Sequence, residues 1–249
     1  MLEETGWLRH FPEIAALRGT PQEPEWHPEG DVFTHTQHCL DALARLEKWA
    51  GAEPERKRLL MLAVLAHDFG KPATTVRAER RGVLRWTSAG HEAAGGPLAE
   101  AFLQRIGASL ALIPPVCALV VSHLVHHHGV GDSYSDSQVR RLARKLAPAT
   151  IDDLALVMTA DSLGRPPLAS PETEVLIGEL CAKAHALELE RAAPRPIVLG
   201  RHLVALGCRP GPQFTPVLAA AFEAQLDGAF SDEPGGVEWL KRHLASAAL

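Results

Sequence analysis

A histidine and an aspartate stand next to each other at positions 67 and 68, where an apolar helix is predicted to end. His67 offers a neutral imidazole nitrogen and Asp68 offers a carboxylate, a ligand mixture that suits a divalent transition metal. Adjacent residues do not share a helix face, but at a helix end both side chains can reach one ion. A histidine in this place is more often only packed or hydrogen-bonded, so the pair alone is a weak signal.

Two more residues of metal-ligand type fall on the predicted inward faces of other helices. His35 follows the spacing of three and four residues that begins at Val32, and Asp161 is in line with Leu154. A carboxylate on an apolar stripe is unfavourable unless a metal or a cation compensates its charge. The pattern therefore predicts a metal site with open positions for water and substrate, formed by His35, His67, Asp68 and Asp161.

The composition limits the classes of protein to which this sequence can belong. The chain has 249 residues, 46% hydrophobic and 22% charged, with a formal net charge of −5. These values predict a soluble globular protein of one domain, or of one domain with an appendage, and exclude disordered, collagen-like and disulfide-scaffold proteins. The four cysteines form no CxxC pair, which argues against a zinc ribbon or a thioredoxin-like site.

The same sequence argues against a membrane or a secretory location. No uninterrupted apolar run approaches the roughly 20 residues that a membrane span needs. The N-terminal stretch MLEETGWLRHFPEI has acids where a signal peptide has basic and apolar segments. We therefore expect a cytoplasmic protein without a membrane partner. Its mild acidity argues against coating nucleic acid by bulk charge, but a local basic groove stays open.

The residue pattern predicts an all-α fold, because alanine and leucine dominate, aromatic residues are only 5% of the chain and β-branched runs are rare. Asp31 is the predicted N-cap of a helix that runs to about Ala50. The next helix is predicted to start near Glu55 and to end at Gly70 and Pro72.

Later segments add a hairpin and more helices. Residues 74–87 alternate in two short stretches around the Arg-Gly pair at 81–82, which predicts a small β-hairpin. Another helix is predicted over residues 113–129, through a run of histidines, and Ser137 is the predicted cap of the basic helix after it. The proline-rich stretch between residues 191 and 199 is the best candidate for a domain boundary.

The order of the candidate ligands resembles the HD superfamily of metal-dependent phosphohydrolases. Longer segments are similar to bacterial tRNA nucleotidyltransferases, in the part of those enzymes outside the catalytic head. The similar segments are WHPEGDVFTHTQHCLD, LAHDFGKP, SAGHEAAG, TADSLGR and FEAQLDGAF. The resemblance implies an HD-domain helical bundle with a small β-hairpin over residues 1–193. It also implies a helical tail over residues 194–249, similar to the C-terminus of the nucleotidyltransferases.

The catalytic head of that family has no counterpart in the sequence. The head carries a glycine-serine turn and two aspartates that hold magnesium, and no such motif lies upstream of Trp26 or later in the chain. We therefore expect a stand-alone HD domain with the family's tail, without CCA addition. A P-loop is also missing, so the sequence does not support a P-loop kinase.

The resemblance implies a metal-dependent phosphohydrolase for nucleotide or RNA-end phosphates, of the 2′,3′-cyclic phosphodiesterase, 2′-phosphatase or 2′-nucleotidase type. The implied cofactor is one or two divalent ions, either a transition metal such as Mn, Fe, Co, Ni or Zn, or Mg. The residues carried over as metal ligands are His35, His67, Asp68 and Asp161. In the family, further histidines either complete a second ion site or contact the phosphate, and the residues that match them are His91 and His123.

Other residues receive catalytic or substrate-binding roles. Asp68 can orient the nucleophile, and His123 or His127 can protonate the leaving oxygen, since imidazole titrates near neutral pH. His127 follows His123 by four residues on one helix face, although a solvated helix end is the alternative. Lys71 is expected either to neutralise a phosphate oxygen or to pair with an acid such as Asp161. The predicted substrate-binding residues are Lys71, His91 and Arg85.

Two alternatives to this enzyme stay open. One is a non-catalytic module that binds tRNA or partners a separate nucleotidyltransferase chain. The other is an HD hydrolase of deoxynucleoside triphosphates or signalling nucleotides, because the same ligands would serve. Basic residues near Arg85 and at positions 140–145 could contact RNA, and Trp86 could stack a base, although charged runs are more often solvated faces. The oligomeric state stays open as well.

Overall fold

The computed structural model describes residues 4–125, 134–167 and 170–247. Over these ranges the protein is a helical bundle with one two-stranded antiparallel sheet, which confirms the predicted all-α fold with a small hairpin. None of the helices in these ranges is both long and apolar enough to cross a membrane. After a 3-10 turn at Trp7–His10, the helices are α1 (Pro12–Leu17), α2 (Val32–Arg45), α3 (Glu47–Ala50), α4 (Pro54–Ala66), α5 (Lys71–Thr74), α6 (His91–Arg105), α7 (Ile113–Val120), α8 (Asp136–Leu146), α9 (Ile151–Leu163), α10 (Pro171–Ala186), α11 (Gly200–Ala205), α12 (Phe214–Leu226) and α13 (Glu233–Ala247), and the strands are β1 (Val76–Arg80) and β2 (Val83–Thr87).

Helices α2, α4 and α9 pack against one another in the middle of the bundle. Their inward side chains share one hydrophobic core with those of α6 and α7. Full burial of a leucine side chain contributes roughly 1.5–3 kcal/mol to folding, so this core holds the helices in fixed relation. Its fully buried leucines include Leu43, Leu60, Leu103, Leu119 and Leu154.

The first predicted helix is confirmed at its start and broken near its end. Asp31 caps α2, because its Oδ1 accepts a hydrogen bond from the backbone N–H of Thr34 at 2.9 Å. Leu46 is extended, with φ −70° and ψ 127°, so the helix stops and α3 begins one residue later. The predicted continuous helix to Ala50 is therefore wrong. The change in direction lets both Leu46 and Trp49 pack against the main core.

The turn after α4 also differs from the prediction. Helix α4 ends at Ala66, and Pro72 lies in the first turn of α5 instead of ending a helix. Gly70 stands in the turn between them, where an added Cβ would lie 2.0 Å from the backbone oxygen of His91. Only glycine leaves room for this turn to approach the start of α6. That approach brings His67 and His91 to the same place.

The small β-hairpin is confirmed, together with its turn. Strands β1 and β2 pair antiparallel, and Arg81 and Gly82 connect them with φ values of 52° and 78°. Two consecutive left-handed residues match the right-handed twist of the strands. On one face, the guanidinium carbon of Arg77 lies 5.5 Å from the ring centroid of Trp86.

Two helix boundaries further along differ from the sequence prediction. Helix α7 ends at Val120, followed by a turn to residue 125, so the expected helix over 113–129 is too long. Ser135, and not Ser137, caps α8. The Ser135 Oγ accepts from the backbone N–H of Gln138 at 3.2 Å, while the Gln138 side chain accepts from the Ser135 N–H at 2.8 Å. This reciprocal capping box selects the serine that has glutamine three residues later.

A second hydrophobic cluster lies near the C-terminus, separate from the main core, whose last member is Leu189. Its side chains come from α11, α12, α13 and the connections between them. The division into residues 1–193 and 194–249 stays a prediction. The buried members of this cluster are Val198, Leu203, Ala221, Phe230 and Leu240.

The basic side of α8, which was considered for RNA contact, faces α12 instead. Arg141 and Arg144 both form ion pairs with Glu223, and Arg141 also pairs with Asp227 at 2.7 Å. The guanidinium carbon of Arg144 lies 5.0 Å from the ring centroid of Phe222. Exposed pairs of this kind contribute only about 0–1 kcal/mol each. They nevertheless occupy the two guanidinium groups that a phosphate backbone would need.

Replacing Gly70 by alanine should destabilise the protein by at least about 2 kcal/mol, because the new Cβ would overlap backbone that cannot move independently. Urea unfolding followed by far-UV circular dichroism measures the change. Gly178→Ala is the matched control, since this exposed glycine in α10 has no atom within 4 Å of an added Cβ. It should be neutral or stabilising by up to about 1 kcal/mol. Equal effects of both substitutions would contradict the steric explanation.

Candidate metal centre

The four residues first predicted as ligands meet at the inner ends of three helices. His35 comes from α2, His67 and Asp68 from the turn after α4, and Asp161 from α9, and all four are buried. The Nε2 atom of His35 lies 3.0 Å from Asp161 Oδ1 and 3.9 Å from Asp68 Oδ2. The Nε2 atom of His67 lies 3.3 Å from Asp68 Oδ2. One ion could therefore contact atoms from all three helices.

Two more histidines approach Asp68 from its other side. His91 is the first residue of α6, and His123 lies in the turn after α7. The Nε2 atom of His91 is 3.2 Å from Asp68 Oδ1 and 3.2 Å from the Nε2 atom of His123. The structure thus brings together all six residues predicted as metal ligands, and we call them the ligand cluster. Its members are His35, His67, Asp68, His91, His123 and Asp161.

The backbone sets the orientation of three of these imidazoles. The Nδ1 atoms of His67, His91 and His123 lie 2.6, 2.7 and 2.7 Å from a carbonyl oxygen three residues earlier in the chain. A carbonyl can only accept, so each Nδ1 carries a proton and each Nε2 presents a lone pair to the cluster. These oxygens belong to Val64, Ser88 and Val120.

Several atoms of the ligand cluster lack a hydrogen bond within the protein, and these atoms fit a divalent ion. The Nε2 atoms of His91 and His123 lie 3.2 Å apart, and with both rings neutral and protonated on Nδ1 each presents a lone pair to the other. His67 Nε2 and both carboxylate oxygens of Asp68 are buried and have no hydrogen bond of acceptable geometry. Buried polar atoms without hydrogen bonds are rare in proteins, and here they converge. Neutral nitrogens and carboxylate oxygens are the ligands that such an ion takes.

The charges of the two carboxylates agree with this fit. Burial opposes ionisation of Asp68, but the nearby His67 and Lys71 hold the pKa of that carboxyl well below its usual range. Burial likewise opposes ionisation of Asp161, but the hydrogen bond from His35 and nearby positive charges lower its pKa. Burial lowers the pKa of His123 to about 3, so its imidazole is neutral at pH 7. Burial also opposes protonation of His35 and His91, but hydrogen bonds and charges of their neighbours raise the pKa of both rings, so a metal would have to displace a proton there.

Comparison with protein families decides which family this cluster belongs to. The model of the HD domain matches residues 35–165, which is just over half of the chain. The chain belongs to the HD-domain family. The HD domain marks a superfamily of metal-dependent phosphohydrolases, and the matched segment begins at His35, the first member of the ligand cluster.

Relatives of known function extend the similarity beyond the HD domain. The chain is 31% identical over 228 residues to the A-adding tRNA nucleotidyltransferase of Deinococcus radiodurans, covering 88% of this chain and 47% of that protein. It is 31% identical over 223 residues to the multifunctional CCA protein of Xanthomonas campestris, covering 88% and 49%. The chain spans about half the length of these relatives. The expected resemblance to nucleotidyltransferases outside the head is therefore confirmed.

The loop carboxylate of Glu29, which the sequence analysis does not single out, orients the ligand His35. Glu29 Oε1 lies 2.8 Å from Nδ1 of His35 and 2.8 Å from Nδ1 of His27, and the carboxylate is almost completely buried. Although burial opposes it, the hydrogen bonds from the two imidazoles lower the pKa of Glu29 to about 2. The carboxylate holds the proton on Nδ1 of His35, which leaves Nε2 for the ion.

Cys39 lies one helical turn after His35 and is buried. Its Sγ is 3.4 Å from His35 Nε2 and 3.8 Å from His35 Nδ1, so it packs beside the ring. Burial raises the pKa of Cys39 to about 11, which keeps the thiol protonated. Gly164 makes room for this sulfur, because an added Cβ there would lie 2.2 Å from it.

The predicted substrate-binding cations have protein partners. Lys71 Nζ lies 2.7 Å from Asp68 Oδ2 and donates to Gln22 Oε1 at 2.7 Å, so its acid partner is Asp68 and not Asp161. Arg85 pairs with Glu25 and lies 3.5 Å from Glu23 Oε1. His127, a predicted proton donor, lies outside the described residues.

The ligand cluster opens into a large polar cleft of about 1280 Å³. The loop over residues 22–27 and the β-hairpin line the cleft, together with Asp68, His91 and Asp161 of the ligand cluster. Arg165, just after α9, also lines it. A phosphate-bearing ligand therefore has direct access to the cluster.

Glu29→Gln should weaken divalent metal binding by roughly tenfold or more, because the amide keeps the size of the side chain but removes the charge that orients His35. Competition with a chromophoric chelator measures the dissociation constants for Mn²⁺ and Zn²⁺. Glu25→Gln is the control, since Glu25 lies in the same loop and pairs with Arg85 instead of a cluster histidine. Metal affinity that stays unchanged in Glu29→Gln would contradict this role.

Proposed function

We propose that this HD domain hydrolyses phosphate esters on nucleotides or RNA 3′ ends, as a 2′,3′-cyclic phosphodiesterase, 2′-phosphatase or 2′-nucleotidase. The observation that carries the proposal is the ligand cluster itself. Six buried nitrogen- and oxygen-bearing side chains converge, with lone pairs facing one another, at an open cleft. A structural core has no use for such an arrangement unless a cation occupies it.

The cluster offers two groups of ligands, which suits one or two divalent ions. His35, His67 and Asp161 form one group with Cys39 close by, and Asp68 forms another with His91 and His123. When bound, such an ion polarises phosphoryl oxygens and lowers the pKa of water. The mixed nitrogen and oxygen donors leave the choice among Mn, Fe, Co, Ni, Zn and Mg open.

Asp68 is the residue at the centre of the proposed chemistry. Its ionised carboxylate lies between the two ligand groups, so it can both bind metal and orient an attacking water. Lys71 holds Asp68 Oδ2 at 2.7 Å, and Gln22 fixes the ammonium from the other side. Lys71 therefore acts first on Asp68, and contact with a substrate phosphate would have to compete with this ion pair.

His123 suits the role of ligand better than that of proton donor. Its Nδ1 proton is held by the Val120 carbonyl, and burial lowers the pKa of the ring to about 3. The Nε2 atom that faces the cluster therefore carries no proton to transfer. His127 stays the predicted donor to the leaving oxygen, with water in the open cleft as the other source.

The nucleic-acid part of the proposal comes from the relatives. Their names describe tRNA nucleotidyltransferases and CCA proteins, and the chain matches them over 88% of its length. We infer that an RNA 3′ end, including that of tRNA, or a nucleotide derived from it, is the substrate.

Asp68→Ala should abolish phosphate release from 2′,3′-cyclic AMP and adenosine 2′-monophosphate, because it removes the carboxylate shared by both ligand groups. Turnover should require a divalent ion and stop when the ion is chelated. Asp41→Ala is the control, since Asp41 is an exposed aspartate on α2 away from the cluster. The assay compares metal content and phosphate release for the wild type and both variants.

Three results would redirect the proposal. Full activity of Asp68→Ala would show that the site is wrong. Bound metal without turnover on either substrate would favour hydrolysis of deoxynucleoside triphosphates or signalling nucleotides. Tight tRNA binding in chelator-treated protein, again without turnover, would favour a non-catalytic module or the partner of a nucleotidyltransferase.

A further inference from the structure

Arg165 is a partly exposed cation in the wall of the cleft. Its Nε is buried and makes no hydrogen bond, and no carboxylate among the described residues forms an ion pair with it, although its charge lowers the pKa of Asp161. Lys71 and Arg85 are paired with acids, and Arg80 and Arg81 line the cleft from the hairpin. A buried N–H group without a hydrogen bond is unfavourable unless an acceptor completes it.

The position of Arg165 indicates which acceptor that is. It follows Asp161 by four residues, and both side chains line the cleft beside His91 and His123. The planar guanidinium group binds phosphate through paired hydrogen bonds. A phosphate held by Arg165 would therefore lie next to the ligand cluster.

Trp26 supplies a second unexplained feature in the same cleft. Its side chain lines the cleft, yet the residue keeps 47% of its surface exposed. Residues Asp68, His91, His123 and Asp161 of the ligand cluster line the same cleft. The exposed part of the indole is therefore available to a ligand that reaches the cluster.

Arg85 fixes the indole of Trp26 in the cleft wall. The guanidinium carbon of Arg85 lies 5.2 Å from the Trp26 ring centroid, and ion pairs with Glu25 and Glu23 hold that guanidinium in place. An aromatic ring held in this way is a stacking surface for a nucleobase. The acids around it make an apolar peptide a poor fit.

We propose that the cleft binds a whole nucleotide, with its phosphate between the ligand cluster and Arg165 and its base stacked on Trp26. The proposal rests on the proposed function for the fate of the phosphate, but binding itself needs no turnover. It assigns the base and the phosphate of such a substrate to two separate residues of the cleft, Trp26 and Arg165. Lys71 and Arg85 then act on Asp68 and Trp26 instead of on the substrate.

Calorimetric titration of the full chain separates the two ends of the nucleotide. The ligands are the non-hydrolysable phosphonate analogue of adenosine 2′-monophosphate, adenosine without phosphate, and ribose 5-phosphate without base. Each is titrated in chelator and again with Mn²⁺. Trp26→Leu should lower the affinity for the analogue and for adenosine by at least about fivefold and leave the affinity for ribose 5-phosphate unchanged.

Arg165→Gln should show the opposite pattern. It should lower the affinity for the analogue and for ribose 5-phosphate by about tenfold or more and leave the affinity for adenosine unchanged. Trp7→Leu and Arg191→Gln are the controls, since both residues are exposed and neither lines the cleft. If the stronger substitutions fail to fold, Trp26→Phe and Arg165→Lys serve instead. Trp26→Phe keeps an aromatic ring and should retain most of the affinity for adenosine, whereas Arg165→Lys keeps the charge but not the paired hydrogen bonds and should retain only part of the affinity for ribose 5-phosphate.

Two results would overturn the inference. Unchanged affinities in Arg165→Gln would mean that this cation only neutralises Asp161, and equal losses for all ligands in Trp26→Leu would mean a structural role. Failure of the proposed function is distinguishable from either. If the two variants change affinity as expected but the protein releases no phosphate, the hydrolase is rejected and the nucleotide site is kept. If the protein releases phosphate but the variants do not change affinity as expected, the nucleotide site is rejected and the hydrolase is kept.

Discussion

The structure depends on the burial of one ionised carboxylate, that of Asp68. Its oxygens make no hydrogen bond of acceptable geometry, and Lys71, His67 and His91 surround them at 2.7, 3.3 and 3.2 Å. An uncompensated buried charge would be strongly destabilising, so the helices around Asp68 have to place compensating groups next to it. Helices α2, α4 and α9 pack into one core and deliver a histidine or a carboxylate to it from three directions.

Small local contacts turn that convergence into a defined site. Backbone carbonyls three residues earlier hold the Nδ1 protons of three cluster histidines, and Glu29 holds the Nδ1 proton of His35. All four imidazoles therefore present Nε2 to the same space. The missing side chain of Gly70 lets the turn with His67 and Asp68 approach α6, which sets the distance to His91.

Pairing within the protein also determines what the surface offers to a ligand. Arg141 and Arg144 of α8 pair with Glu223 of α12, and Arg85 pairs with acids of the loop beside it. These three cations are therefore not free to bind a nucleic-acid backbone. The cleft still offers the ligand cluster, Arg165, the face of Trp26 and the hairpin cations Arg80 and Arg81.

The sequence by itself determined the helical class, the hairpin with its Arg81-Gly82 turn, the Asp31 cap and the types of residue in the ligand cluster. These depend on local periodicity, on turn chemistry and on side chains that are costly to bury, and all of these are visible along the chain. Only the tertiary structure decided the partners. Lys71 pairs with Asp68 instead of Asp161, Arg85 is neutralised by Glu25, and Glu29 holds His35, because each of these contacts depends on how separate elements pack. The break at Leu46 has the same origin, because Leu46 and Trp49 both pack against the main core. The cap at Ser135 is different, since its reciprocal bonds with Gln138 are local and the sequence already carries this capping box.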